Sequence, residues 1–116
     1  MPRAENRLKR IVRVRESVDM RLRVAAARER RTISRLVEDI LEKSIPPLET
    51  MTWSEWREAT ALPPIDEHQA REDLQATTIN VSGPLWDRLN VAAAAHRLTL
   101  NDYLTRILSA HLPQLS

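Results

Sequence analysis

Two short stretches of the chain alternate apolar and polar residues with a period of two, the pattern of a β-strand with one buried face. In residues 9–15, Val12 and Val14 point to one side of such a strand, and in residues 76–82 the aliphatic residues at positions 79 and 81 do the same. A lone strand of about seven residues is not stable in water, so each stretch needs a partner. The pattern therefore predicts that the two stretches pair as an antiparallel ribbon with one buried and one outward face.

Helical periodicity follows the first of these stretches. Residues 16–30 place apolar side chains on one face of a helix and arginines around it, and residues 33–44 form a second amphipathic pattern. Thr32 stands at the N-cap of the second helix, and Pro46 with Pro47 ends it, because the residue before a proline is pushed out of the helical region. The first third of the chain is therefore predicted to fold as strand, helix and helix.

The last third of the chain repeats the first. A shift of 67 positions aligns residues 12–41 with residues 79–108 without a gap, and 11 of the 30 aligned positions are identical. The main aliphatic positions keep their apolar character, and Ser82 with Pro84 supplies a cap and a first turn for the first helix of the second copy. An internal repeat of this kind predicts two copies of one strand–helix–helix unit.

An acidic segment joins the two copies. Thr52 and Glu55 match a capping box, which predicts a short helix, and Asp66 can cap a second short helix over residues 67–75. The chain is therefore divided into a first copy, an acidic linker with short helices, and a second copy that shares one core with the first: residues 1–45, 46–75 and 76–116.

The formal net charge of +2 hides a division along the chain. Residues 1–43 hold 13 Lys and Arg against 7 Asp and Glu, residues 44–75 hold 2 against 7, and residues 76–116 hold 3 against 2. An anionic partner would therefore meet the first third of the chain first. With a single Gly and many helix-forming residues, the composition indicates a mainly α fold.

Several classes of function lack their usual residues in this sequence. There is no Cys, which excludes disulfides and thiolate metal sites. His68, His96 and His111 are scattered, with no HExxH motif, no converging carboxylate pair and no Gly-rich phosphate loop in the chain. No apolar run approaches the ~20 residues of a membrane span. We therefore expect a protein that is not an enzyme, with no catalytic residues, no metal, no cofactor and no membrane partner.

A basic alternating strand, an Ala-rich amphipathic helix and a second helix capped by Thr resemble the ribbon-helix-helix DNA-binding family of the Arc, MetJ and CopG type. The resemblance covers residues 9–44 and 76–112, and two copies in one chain are similar to the rarer tandem, TraY-type arrangement. It implies a short two-stranded antiparallel ribbon, pseudo-two-fold within one chain, that lies in the DNA major groove. One departure is that Arg30 and Arg97 stand where the family often has a glycine in the turn between the helices.

The resemblance also implies which residues contact DNA. The base-contacting positions of the strands fall on Lys9, Ile11, Arg13, Ala76, Thr78 and Asn80. The phosphate-contacting positions, at the start of each second helix, fall on Thr32, Ile33, Ser34, Thr99, Leu100 and Asn101. Beside them, the charges of Arg31 and Arg35 are expected to add nonspecific attraction to phosphate. A guanidinium can donate twice to guanine and a carboxamide can pair with adenine, so Arg13 and Asn80 are the candidates for direct readout. Ile11 and Ala76 cannot hydrogen-bond a base.

Each of these assignments has a plainer structural alternative. Cations on a strand can guard an exposed edge against aggregation, and a Thr before a helix caps it whether or not phosphate binds. Trp53 and Trp56, three positions apart on the predicted linker helix, can anchor a protein partner or cover the core of their own domain. Both alternatives stay open at the level of sequence.

The sequence therefore predicts a cytoplasmic, bacterial nucleoid-associated protein that binds specific sites in double-stranded DNA and acts as a transcriptional repressor. One alternative is an antitoxin that binds a toxin through residues 48–75 and represses its own operon. Another is an accessory factor that assists a relaxase. We expect the two strands to pair within one chain, with an exchanged homodimer or side-by-side association on DNA as alternatives.

Overall fold

The computed structural model describes residues 7–114. These residues are mainly helical with one two-stranded antiparallel sheet, and no helix among them is long and apolar enough to cross a membrane. A 3-10 turn, Leu48–Thr50, lies between the second and third helices. The elements in chain order are β1 (Arg7–Arg15), α1 (Glu16–Glu29), α2 (Ile33–Ser44), α3 (Trp53–Ala59), α4 (Glu67–Ala70), β2 (Leu74–Ser82), α5 (Gly83–Ala95) and α6 (Leu100–His111).

The two strands pair with each other along their whole length, and Ile11 lies opposite Thr78 at the centre. These two positions are 67 residues apart, so the pairing is symmetric with respect to the sequence repeat. Each strand begins two residues earlier than predicted. In this register Thr77 lies opposite Val12, and Ala76 lies opposite Arg13. No tight turn joins these strands, so local sequence could not determine their register.

The inward face of the ribbon is buried as predicted. The four aliphatic side chains that the alternation assigns to it are each at most 1% exposed: Val12, Val14, Ile79 and Val81. Together with the apolar faces of α1, α2, α5 and α6 they form one continuous core. Equivalent residues of the two copies belong to this one core, among them the fully buried Leu22 and Leu89. The sequence repeat therefore corresponds to a shared interior.

The turn that follows the first helix of each copy has the same backbone geometry. Arg30 and Arg97 have positive φ angles of 55° and 56°, the left-handed region in which glycine is usual. The next amide in each turn bonds back to the helix, at 3.0 Å from Arg31 to Ala26 and at 2.9 Å in the second copy. The arginines thus form the turn without a glycine, at a cost of roughly 1–2 kcal/mol each.

An arginine of each copy reaches the last turn of the other copy's second helix. The Arg21 guanidinium, which is almost fully buried, donates to the carbonyl oxygens of Ser109 at 2.8 Å and Leu112 at 2.6 Å. Arg88, at the equivalent position, donates to the carbonyl of Ile45, which is the equivalent of Leu112. A cation at a helix C-terminus satisfies the free carbonyls there and opposes the helix dipole. This reciprocal contact explains why arginine occupies both positions of the repeat.

The helices of the linker begin at the predicted caps. Thr52 and Glu55 form the capping box of α3, with N–H donor-to-oxygen distances of 2.8 Å and 3.2 Å. Asp66 accepts from the backbone N–H of Gln69 at 2.7 Å and caps α4. That helix ends at Ala70 rather than at position 75 as predicted, because residues 74 and 75 extend β2 along β1.

The linker packs against the second copy through α3. Trp56 is fully buried, and its indole N–H donates to the carbonyl of Pro46 at 2.6 Å. The Tyr103 hydroxyl of α6 donates to the carbonyl of Thr60 at 2.6 Å, and burial raises the pKa of Tyr103 to about 12. The Thr60 hydroxyl lies 3.0 Å from the His96 ring nitrogen Nε2, and burial lowers the pKa of that histidine. The linker is therefore part of the folded unit.

The end of the linker caps the first helix of the first copy. In the second copy the Ser82 side chain accepts from the Leu85 N–H and caps α5 itself. The equivalent position before α1 is Arg15, whose side chain makes no such bond. There the Glu72 carboxylate accepts from the Ser17 N–H at 2.9 Å. A linker carboxylate therefore performs the capping that a local serine performs in the second copy.

Candidate nucleic-acid interface

The outward side of the ribbon presents six side chains in three cross-strand rows. We call this surface the outer face and define it by Lys9, Ile11, Arg13, Ala76, Thr78 and Asn80. The first row pairs Lys9 with Asn80, the second pairs Ile11 with Thr78, and the third pairs Arg13 with Ala76. All six residues are exposed, so the structure brings the predicted base-contacting positions together on one surface.

The outer face has the dimensions of a surface that fits a DNA groove. Alternate residues of a strand lie about 6.7 Å apart, so three rows extend over about 13 Å, roughly the length of four base pairs at 3.4 Å each. Paired strands lie about 4.8 Å apart, and a major groove about 12 Å wide admits a two-stranded ribbon. The six side chains therefore match the size of a short base sequence.

The polar groups of the outer face are available to a ligand. Across residues 7–114, no hydrogen bond or ion pair engages the side chains of Lys9, Arg13, Thr78 or Asn80. The two cations lie on β1, whereas β2 presents a hydroxyl and a carboxamide. Arg13 can donate to the O6 and N7 atoms of guanine, and Asn80 can form two hydrogen bonds with adenine. The two ends of the outer face are therefore chemically different.

The second helix of each copy is attached to the strand of the other copy by one side chain. Ser34 accepts from the backbone N–H of Asn80 at 2.9 Å, and Asn101 accepts from that of Arg13 at 3.1 Å. The two bonds join equivalent residues, and each occupies a strand amide that would otherwise be free at a sheet edge. The start of α2 and the start of α6 are thereby held beside the outer face. Sequence reasoning assigned both side chains to phosphate and missed these contacts.

The start of α2 carries positive potential. The Thr32 hydroxyl accepts from the Arg35 N–H at 3.1 Å, as an N-cap does, and no acidic residue lies in the first turn. The Arg35 side chain is 67% exposed. An open hollow of about 580 Å³ lies here, lined by Arg7, Thr32, Ser34, Arg35 and Asn80. The free N–H groups and positive dipole of a helix N-terminus suit an anion such as phosphate.

The start of α6 differs in charge. Thr99 caps this helix by accepting from the backbone N–H of Asp102 at 3.1 Å. Asp102 is the equivalent of Arg35, so its carboxylate occupies the first turn where the first copy has a guanidinium. A carboxylate at this position competes with a phosphate for the same N–H groups and repels it. Of the two predicted phosphate positions, the one at α2 is therefore electrostatically the more favourable.

The two arginines predicted beside α2 have different surroundings. Arg31 forms ion pairs with Glu29 at 3.2 Å and with Asp39. Arg35 lies 3.9 Å from Glu38, a carboxylate that Arg7 already binds at 2.9 Å. Arg35 therefore presents its charge to solvent, whereas acidic neighbours largely balance that of Arg31. One of the carboxylates that balance Arg31 belongs to Asp39, eight positions away in the sequence. A count of charges along the chain therefore did not indicate that the charge of Arg31 is balanced.

Two arginines outside the predicted set of DNA-contacting residues also lie on β1. Arg7 donates to Glu38 and to the carbonyl of Asn80, the latter at 2.6 Å. Arg10 lies on the same side of β1 as the buried Val12 and Val14, yet it is exposed. Its guanidinium lies 5.7 Å from the ring centre of Trp86. Such a contact holds a cation in place beside a ring face. The alternation assigned Arg10 to the buried side, so the sequence pattern gave no signal for it.

The two linker tryptophans lie in different environments. Their rings stack with a centroid separation of 5.6 Å. Trp56 is fully buried, as in the plainer reading that such a pair covers its own core, whereas Trp53 is 53% exposed. Trp53 borders a shallow hollow that also includes Arg57 and His96. Of the pair, Trp53 is the one that presents surface to a partner.

No family model, curated protein or solved structure matches this chain. Within residues 7–114, no group of three His, Asp or Glu residues is arranged to hold a metal ion. The function of the outer face must therefore be argued from its own geometry and chemistry.

Proposed function

We propose that this protein is a tandem ribbon-helix-helix protein that binds double-stranded DNA and represses transcription by occupying its site. One observation carries the proposal: six exposed side chains form three rows on a two-stranded ribbon, and their polar groups have no partners within the described chain. Unpartnered Arg and Asn side chains on a ribbon of this width are suited to read base edges in a major groove.

The reciprocal contacts support a pseudo-two-fold unit made from one chain. The capping arginines, the edge contacts of Ser34 and Asn101, and the turns at Arg30 and Arg97 are all related by the same shift of 67 residues. In such a unit the single chain supplies both strands that a ribbon needs. A disulfide between cysteines at positions 13 and 76, which lie opposite each other, should therefore form within one chain.

In this proposal, contacts to phosphate position the protein and contacts to bases select the site. The start of α2, with Arg35, binds a phosphate beside one strand of the duplex. The ribbon then presents Lys9 and Arg13 from β1, and Thr78 and Asn80 from β2, to the base edges. Because the two strands differ, the preferred site is asymmetric, with an arginine-read part and a part read by Thr and Asn.

A second candidate function is supported by exposed Trp53. Aromatic side chains supply much of the energy of protein interfaces, and this one lies on the acidic linker. An antitoxin that binds a basic toxin through the linker would use such a residue. The linker helices are packed onto the core, however, so a partner would bind the folded linker surface rather than an extended segment.

The proposal is tested by selecting bound duplexes from a random double-stranded DNA pool with the full chain, while its solution mass is measured. We expect one enriched, non-palindromic sequence. Arg13→Ala should lose the enrichment at one base position, whereas Arg71→Ala, an exposed linker arginine, should keep it. Failure to enrich any sequence, or equal enrichment by both variants, would contradict base readout by the ribbon.

A further inference from the structure

The middle row of the outer face has no charged or carboxamide group, unlike the two rows beside it, and its largest side chain is aliphatic. Ile11 is 67% exposed, more than any other large hydrophobic residue in the described chain. Thr78 lies directly opposite, is also exposed, and adds a second β-branched side chain. Lys9 and Asn80 lie on one side of this row, and Arg13 lies on the other. The centre of the outer face is therefore a small apolar patch between polar ends.

In the isolated protein, the exposed side chain of Ile11 stabilises the fold only through a modest cross-strand contact with Thr78. A pair of β-branched side chains on neighbouring strands contributes to the ribbon, and a threonine pair would contribute similarly without the exposed aliphatic carbon. The remaining apolar surface of Ile11 is suited to cover an apolar group of a ligand. The ligand must fit between the flanking polar rows, which restricts the apolar group to about one base step.

The inference rests on the proposed function, because it names what this patch contacts in bound DNA. The edges of base pairs in the major groove present hydrogen-bonding groups and a single apolar group, the 5-methyl of thymine. A 5-methylcytosine presents the same methyl beside a different exocyclic group. We propose that the Ile11–Thr78 row binds the 5-methyl group of a pyrimidine at the centre of the recognised site.

The test uses the full chain and the duplex that it selects from a random pool. In one arm each thymine of the duplex is replaced, one at a time, by uracil, which lacks only the 5-methyl group. In the other arm each cytosine of the central base pairs is replaced by 5-methylcytosine. Burial of one methyl group corresponds to about a fourfold change in affinity. If the row binds thymine, replacement by uracil lowers the DNA affinity about fourfold at one or two adjacent central positions. If it binds 5-methylcytosine, replacement of cytosine by 5-methylcytosine raises the affinity about fourfold there.

Protein variants link the methyl effect to the patch. Ile11→Ala should bind the methylated and unmethylated duplexes equally, and Ile11→Thr, which keeps the β-branched strand residue, should also lose most of the difference. Met20→Ala removes an exposed apolar side chain of α1, outside the outer face, and should keep the whole difference. Urea unfolding of each variant verifies that the ribbon remains folded.

The possible failures are distinguishable. If wild-type protein binds its selected duplex but no single methyl group changes the affinity, the inference is wrong and the proposed function stands. The same holds if Ile11→Ala and Ile11→Thr both keep the full ratio of affinities for methylated and unmethylated duplexes. If no duplex is selected at all, the proposed function is wrong and the inference falls with it.

Discussion

The helix starts on either side of the outer face have the same backbone and opposite charge. α2 begins at Thr32 with Arg35 in its first turn, and α6 begins at Thr99 with Asp102 there. Beneath them the two copies are alike: Leu41 and its equivalent are both at most 1% exposed in the shared core. The copies therefore both keep apolar residues in the shared core and differ in the charge of these two helix starts.

This difference shows which part of a fold with an internal repeat is constrained. The core side chains of the two copies pack in one close-packed interior, so a change of volume in one copy alters the packing of the other. The outward surface of one copy does not pack against that of the other, and residues 1–43 hold 13 Lys and Arg whereas residues 76–116 hold 3. A homodimer would carry the same side chains at both ends, whereas a single chain with two copies can present different chemistry at each end.

The largest expected effect breaks the symmetry of the interior. Arg21→Met removes a buried cation that satisfies several helix carbonyls and should lower the free energy of unfolding by roughly 2–4 kcal/mol. Arg88→Met should cost less, roughly 1–2 kcal/mol, because Arg88 donates to fewer carbonyls. Urea denaturation of both variants measures this. Losses below about 0.5 kcal/mol, the range of exposed substitutions such as Arg71→Met, would contradict the capping role.

Tyr103 marks an interior position at which the copies differ, because its equivalent is Leu36. Its pKa is raised to about 12 by burial, so the unfolded chain releases the hydroxyl proton first as pH rises above 10. The free energy of unfolding should therefore fall by roughly 2 kcal/mol between pH 10 and pH 12. The chain has one tyrosine, so phenolate absorbance reports this titration directly. Tyr103→Phe should remove this part of the decline, and an unchanged pH profile would contradict it.

A smaller effect concerns the caps of the first helices. Glu72→Ala removes the linker carboxylate that caps α1 and should cost about 1 kcal/mol of unfolding free energy. Arg15→Ser restores the serine that the second copy uses, so Glu72→Ala in the Arg15→Ser background should cost less than half as much. An equal cost in both backgrounds would show that Glu72 stabilises the protein in some other way.

Part of this fold could be predicted from the amino-acid sequence, and part could not. The strands, the four long helices and the caps at Thr32, Thr52 and Asp66 were predictable because each depends on residues within one turn or one alternation. The length of α4 was not, since pairing with β1 draws residues 74 and 75 into a strand. Local propensity yields to such tertiary pairing.

The site was predictable in the same uneven way. The alternation assigned all six side chains of the outer face to one surface, and the structure brings them together. The edge contacts of Ser34 and Asn101 join residues 46 and 88 positions apart, and neither spacing leaves a periodic signal. The ion pair between Arg31 and Asp39 joins residues eight positions apart and likewise leaves no periodic signal.

The smallest predicted effect sharpens the comparison of the two helix starts. Arg35→Ala should lower the slope of the logarithm of DNA affinity against the logarithm of salt concentration by about 1, because one phosphate contact is lost. Arg31→Ala should lower it less. Asp102→Arg gives α6 the residue of α2 and should raise the slope by about 1. Equal slopes for wild type, Arg35→Ala and Asp102→Arg would contradict phosphate binding at these helix starts.

We propose that the ribbon reads bases from the major groove, and a double-mutant cycle between Arg13 and one base atom measures that contact. Each guanine of the selected duplex is replaced in turn by 7-deazaguanine, which lacks only the major-groove N7 acceptor. Wild-type protein should lose roughly 1–2 kcal/mol of binding free energy at one guanine, and Arg13→Ala should lose almost none there. If every guanine gives the same loss of binding free energy for both proteins, Arg13 does not contact guanine in the major groove. The proposal that the ribbon reads bases is then wrong.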